Sequence, residues 1–195
     1  MQDHFQRIYA EEAGAYDRLV GAEDCEGQLQ LAIASVCPLH GANVVEIGVG
    51  TGRLTRLFVA GGARSIVGVD PSQAMLAVAR RHLESCAPPG SACQWRLEVG
   101  DSSRLPVPDG DADLTIAGWV FGHATVWNPG AWRASIAAAL AEADRVTRAG
   151  GHQIILETLG PPADAHLAAV VPVGRPAGRT RRSPRRPLGE VLDWR

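Results

Sequence analysis

The sequence predicts an α/β fold, a doubly wound and mostly parallel sheet with helices on both faces. Three observations predict it. Five short apolar runs rich in β-branched residues alternate with segments of helical period. The first run ends in a glycine-rich turn that leads directly into a helical segment. An apolar fraction of 46% in 195 residues is enough for one continuous core. Parallel neighbours need a crossover between them, so this alternation implies helices covering the sheet on both sides.

The elements follow in order. Residues 2–36 are rich in helix formers, and Leu29, Ile33 and Val36 share one helical face. After Pro38 and Gly41 comes ANVVEI, a strand stopped by glycines, and then RLTRLFVA, where Leu54, Leu57 and Phe58 recur at helical spacing. SIVGVD is the second strand, and Met75, Leu76, Ala79 and Leu83 line one face of the helix after it. In QWRLEVGD, Trp95, Leu97 and Val99 alternate as in a half-buried strand, and ADLTIAGWV is the fourth strand. Asn128 and Pro129 suit a helix start, and Trp132, Ile136, Leu140 and Val146 mark an amphipathic helix expected to end at Gly150-Gly151. HQIILETL is the fifth strand. The expected division is a helical leader or lid over 1–40, the α/β domain over 41–160, and an Arg/Pro-rich irregular tail over 161–195.

A net charge of −2 gives no global attraction to nucleic acid or to an anionic membrane, and neither is expected as a partner. No apolar run is long enough for a membrane span, and the first residues lack the apolar centre of a secretory signal, so a cytoplasmic protein is expected. Cys25, Cys37, Cys86 and Cys93 form no CxxC pair, which favours reduced thiols over a zinc or redox site. No metal-ligand cluster is visible.

The chemistry is concentrated in EIGVGTG, where Glu46 closes the first strand and Gly48, Gly50 and Gly52 follow at alternate positions. Glycine takes positive φ without penalty and lets a ligand lie against the backbone. Open α/β sheets bind ligands at this carboxyl end. A dinucleotide fingerprint wants a third glycine where Arg53 stands, and an arginine there obstructs close helix–strand packing. Further downstream, Asp70 ends the second strand, and Gly100-Asp101-Ser102 follows the third.

This set, with DADLTIAGWV and DRVTRAGGHQIILETL behind it, resembles class I S-adenosylmethionine-dependent methyltransferases of the type 11/25-like domain over roughly residues 40–160. The resemblance implies a Rossmann-like fold and S-adenosyl-L-methionine as cofactor. It places Glu46, Gly48, Gly50 and Gly52 against the methionine part, Asp70 on the ribose, and Asp101 with the Ser102 backbone on adenine. Gly118 and Trp119 would border the methionine moiety and the transferred methyl group. YDRLVGAED looks like the helical lid of relatives, which adds Tyr16 and Arg18. Other readings stand beside these: a tight turn for the glycines, an N-cap for Asp70, a turn residue for Asp101, and core packing for Trp119, Phe121 and Trp127.

His123, shortly after the fourth strand, is the candidate general base, against the reading of a surface or partly buried histidine. No Asn-Pro-Pro-Tyr-type sequence follows the fourth strand, so a small-molecule acceptor is expected. Two alternatives are carried: a cofactor-binding protein without turnover, and an NAD(P)-dependent oxidoreductase. Relatives complete the sheet with two further strands, and residues 161–195 contain no convincing pair. With all nineteen basic residues arginine, two readings of that tail stand beside a nucleic-acid-binding arm: a disordered, solvated segment, and a frameshifted or otherwise altered C-terminus.

Overall fold

The computed structural model describes residues 7–9, 11–21, 24, 27–88 and 90–157. The Arg/Pro-rich tail with its expected alteration, residues 1–6 of the leader and Cys25 lie outside the described residues. Residues 7–9 are helical, and α1 (Ala13–Gly21) and α2 (Gln28–Val36) follow before β1 (Asn43–Ile47). Then come α3 (Arg53–Ala60), β2 (Ser65–Asp70), α4 (Gln73–Cys86), β3 (Gln94–Val99), β4 (Ala112–Gly118), α5 (Phe121–Trp127), α6 (Trp132–Val146) and β5 (Thr147–Leu156). The sheet order is β3-β2-β1-β4-β5, and each neighbouring pair is parallel. The strand order reverses between β1 and β4, which opens a crevice at the carboxyl ends of those strands.

Alternate residues of the central strands feed two cores, as expected for a sheet covered on both faces. Val44, Leu114, Ile116, Ile154 and Leu156 pack with Leu29, Ile33, Leu54 and Phe58. Val45, Ile47 and Ala117 pack with Leu105, Ala143 and Val146 on the other side. No helix among the described residues is long and apolar enough to cross a membrane.

The structure corrects four local expectations. The long helix α6 ends at Val146 rather than at Gly150-Gly151, because Thr147 turns extended and donates its hydroxyl to the Ala143 carbonyl at 2.6 Å. Gly150, at φ +77°, instead belongs to the irregularity where β5 gains residues relative to β4. Asn128 starts no helix: it is the C-cap of α5, a helix the sequence pattern did not reveal. The buried stripe of α6 is Ala139, Ala143 and Val146, with Trp132, Ile136 and Leu140 only half-buried, because small residues let the helix lie close to the sheet. Val99 is 55% exposed, since β3 is an edge strand whose end is left uncovered.

Candidate active site

β1 ends at Ile47 and the chain turns at once. Gly48 has φ +75°, and a Cβ there would stand 2.4 Å from Val120 Cγ2, so no side chain fits without displacing its neighbour. The N–H groups of Gly48 and Val49 donate to the Val69 carbonyl at 2.8 and 3.3 Å, which hangs the loop on β2. Gly50 is also left-handed, at φ +54°, but a Cβ there would meet nothing within 4 Å.

Two acids flank this loop. Asp70 is buried, and its carboxylate oxygens accept from Gly50 N and Ser72 N, each at 2.8 Å. Burial raises its pKa while these two bonds hold it down. The N-cap of α4 is Ser72, whose hydroxyl accepts from Met75 N, so Asp70 is not the cap. Glu46 is 1% exposed and accepts from the Thr55 hydroxyl at 2.6 Å. Burial pushes its pKa up to about 8, against the lowering by the Thr55 bond and with a further rise from nearby Asp70.

On the other side of the crevice, β4 ends at Gly118 and Trp119 adopts φ +55°, unique among the described non-glycine residues. A left-handed L-residue costs roughly 1–2 kcal/mol. Its N–H donates to the Leu156 carbonyl at 2.7 Å, and the Arg53 Cζ lies over its ring, 4.6 Å from the centroid. The short helix α5 follows, and the Glu157 carboxylate caps its start by accepting from Phe121 N at 2.6 Å and Gly122 N at 3.3 Å. Burial raises the Glu157 pKa against these bonds.

α5 carries His123 and Trp127, whose rings stack at 5.0 Å. Tyr9 meets both edge-on and also meets Tyr16 at 5.3 Å. The Tyr9 hydroxyl lies 3.1 Å from His123 Nε2. Burial, helped by the Tyr16 hydroxyl, pushes the Tyr9 phenol well above its usual range, and burial lowers His123. At neutral pH the phenol is protonated and the imidazole neutral, and the tautomer of His123 sets which of the two donates. The leader is fixed to α4 at a second point, where Asp17 Oδ2 and His82 Nε2 are 2.8 Å apart.

Residues of the glycine loop, of the ends of β2 and β4, of α5 and of the leader line a cavity of about 400 Å³ at the carboxyl ends of β1 and β4. Its wall carries the carboxylates of Asp24, Glu46 and Asp70 and the guanidinium of Arg53. The sequence model described as a methyltransferase domain matches residues 44–151, the span that builds this wall apart from the leader.

The chain belongs to this methyltransferase family.

Curated relatives agree. An uncharacterized methyltransferase of Bacillus cytotoxicus is 32% identical over 64% of this chain and 57% of its own. Malonyl-[acyl-carrier protein] O-methyltransferase of Serratia marcescens is 30% identical over 77% of this chain and 51% of its own. The methyltransferase chain thus spans about half the length of the curated relatives it matches. Among solved structures, a putative S-adenosyl-L-methionine-dependent methyltransferase from Methanococcus maripaludis shares the fold with a TM-score of 0.60 at 20% identity, covering 78% of this chain and 65% of its own. Haemonchus contortus phosphoethanolamine N-methyltransferase 1, solved with phosphoethanolamine and S-adenosylhomocysteine, has a TM-score of 0.54 at 21% identity, covering 70% of this chain and 26% of its own.

In the methyltransferase cavity, Glu46, Gly48, Gly50, Asp70, Gly118, Trp119, Tyr16 and His123 come together as lining residues. Four expected residues do not line it. Gly52, at φ +86°, is the N-cap of α3, where a Cβ would stand 3.2 Å from the Ala79 backbone of α4. Arg18 is exposed on α1. Asp101, with Ser102 after it, stands beyond the end of β3, and its carboxylate turns back to Ser103, whose side chain first and N–H second, the latter at 2.7 Å, lower its pKa. Sequence reading missed Tyr9, although Tyr9 and Tyr16 are seven residues apart, a spacing that shares a helical face. It also missed Asp24 and Glu157, for which no local signal exists. Arg53 was read only as an obstacle to a dinucleotide.

Proposed function

We propose that this methyltransferase binds S-adenosylmethionine in the cavity at the β1–β4 crevice and transfers its methyl group to a small-molecule acceptor. The observation that carries the reading is the joining of the glycine loop with buried Glu46 and Asp70 in one cavity. The residues fit the cofactor. The open space at the Gly50 Cβ position forms a cradle. The Asp70 oxygens keep lone pairs beyond the two used on Gly50 and Ser72, which suits vicinal hydroxyls. Glu46 suits an ammonium, and Gly118 and Trp119 border the methionine end. Asp101 and Ser102 would reach adenine just beyond the lined wall.

The bound cofactor supplies an already activated methyl group on its sulfonium. This chain's contribution is alignment and water exclusion, by the aromatic wall of Tyr9, Tyr16, Trp119 and Trp127. Where the acceptor carries a proton, His123 takes it, through the Tyr9 hydroxyl that faces the same cavity. A small acceptor fits a wall closed on one side by the leader.

Calorimetric titration with S-adenosylhomocysteine, followed by an assay of its release over a panel of small acceptors, tests the proposal. Micromolar binding and release with at least one acceptor are expected. Tight NADH binding without S-adenosylhomocysteine binding would overturn it, and cofactor binding without release across the panel would favour a protein that holds cofactor without turnover.

A further inference from the structure

We propose that the Arg53 guanidinium holds the α-carboxylate of S-adenosylmethionine. The inference rests on the cofactor reading above and deepens it by assigning the cation of the site.

The ligand's own charges set the requirement. Its amino-acid end carries a carboxylate beside an ammonium, and the cavity wall carries Asp24 and Asp70 beside Glu46, which the free protein holds mostly protonated at neutral pH. A carboxylate entering that field unaided would be repelled. Among the described lining residues, Arg53 bears the one permanent positive charge.

Position agrees with charge. Asp70 ends β2 and Trp119 follows the end of β4, on opposite sides of the β1 loop in the strand order. The Arg53 guanidinium lies over the Trp119 ring, so it stands on the β4 side, across the loop from the acid that suits the ribose. A molecule with a ribose in its middle and an amino acid at one end matches that separation.

The Trp119 platform fixes the orientation. The indole is held beneath the guanidinium by a backbone at φ +55°, secured by the bond to the Leu156 carbonyl. A guanidinium carries its N–H donors in a planar fork, the geometry that grips a carboxylate with two parallel bonds. Strain at a functional position is tolerated when the surroundings determine it, and here the strain orients a charge. Arg53 then acts in both directions: it obstructs a dinucleotide, which requires a small residue at this place, and it recruits the amino-acid end of the methyl donor.

The test compares S-adenosylhomocysteine with its decarboxylated analogue, which keeps the adenosine, the thioether and the amine. Titration calorimetry on the full chain should find S-adenosylhomocysteine bound about thirtyfold more tightly by the wild type, the scale of a charged hydrogen-bonded pair. In Arg53→Met the preference should fall to roughly threefold or less, and Arg53→Lys, which keeps charge without the fork, should lie between. Where Arg53→Met does not melt cooperatively, Arg53→Lys carries the comparison, and an undiminished preference there overturns the proposal. A preference retained in Arg53→Met also overturns it, as does loss of both compounds by variants that melt like the wild type, because the residue would then be holding the loop. A wild type that binds both compounds alike defeats the Arg53 assignment alone. A wild type that binds neither defeats the cofactor reading itself.

Discussion

The two sides of the cavity are built in different ways. On the β1–β2 side, Glu46, the glycine loop and Asp70 come from one strand–turn–helix–strand unit, and backbone hydrogen bonds tie them together. On the β4 side, the wall is assembled from Tyr9, Arg53, Trp119, His123 and Trp127, drawn from separate segments and held by ring stacking and side-chain bonds. The first side is preorganised by local chain geometry and suits the ribose and the ammonium of the cofactor, while the cofactor's carboxylate falls to Arg53 on the second. The second depends on tertiary closure and can be rebuilt one residue at a time, which suits recognition of an acceptor.

The largest expected effect lies at the seam between the sides. Gly48→Ala puts a Cβ 2.4 Å from Val120 Cγ2 in a left-handed backbone, so strain and overpacking add. Urea denaturation should show a loss of about 4 kcal/mol. Gly50→Ala meets the same handedness with open space, so it should lose roughly 1 kcal/mol or slightly more while S-adenosylhomocysteine binding collapses. Equal stability losses in the two variants would mean that the sides are not separately built.

Asp70→Ala is next. It leaves the N–H groups of Gly50 and Ser72 without their buried acceptor, at about 2–3 kcal/mol. The effect should fall on the β1–β2 side alone: hydrogen exchange should quicken at Gly50 and Ser72 and stay unchanged at Phe121.

This division is also the division of what the sequence makes legible. The order of strands and helices, the glycine loop and Asp70 are read from local pattern, because strand period, glycine φ and a strand-end acid are all properties of consecutive residues. On the β4 side Trp119 and His123 are legible as candidates, but the contacts that hold them are opaque for the converse reason. Tyr9 and His123 are 114 residues apart, and the Glu157 carboxylate reaches back across β4 to cap α5; neither contact leaves a mark on its neighbours in sequence. The short α5 escaped because FGHATVW has no stripe of helical period. The glycines misled in one place: Gly150-Gly151 looked like a helix stop, whereas the β-branched Thr147 had already turned the chain into β5.

Glu157 tests the β4 side. Glu157→Ala removes the acceptor for Phe121 and Gly122 and should cost about 2 kcal/mol locally, read as faster exchange at those two amides. Calorimetric affinity for S-adenosylhomocysteine should change little, while the apparent KM for an acceptor rises, because α5 carries His123 and Trp127. A fall in cofactor affinity as large as that in Asp70→Ala would merge the two sides into one unit.

The smallest effect concerns a single proton on Glu46. Its folded-state pKa is raised from 4.5 to about 8, so its contribution to stability is full below about pH 4.5 and is lost as the pH climbs through about 8. At pH 7 the free protein holds Glu46 mostly protonated. A ligand ammonium beside it favours the carboxylate, so binding must expel that proton, at roughly 1.4 kcal/mol for one pH unit. Titrations of S-adenosylhomocysteine at pH 7 in buffers of different ionisation enthalpy should therefore report release of close to one proton, and Glu46→Gln should report none. Because Thr55 bonds the same carboxyl from α3, Thr55→Val should raise the Glu46 pKa further and leave the proton count near one at pH 7. Proton uptake in place of release would mean that the ammonium is met by a group other than Glu46, and the β1–β2 side would lose its claim to the ammonium.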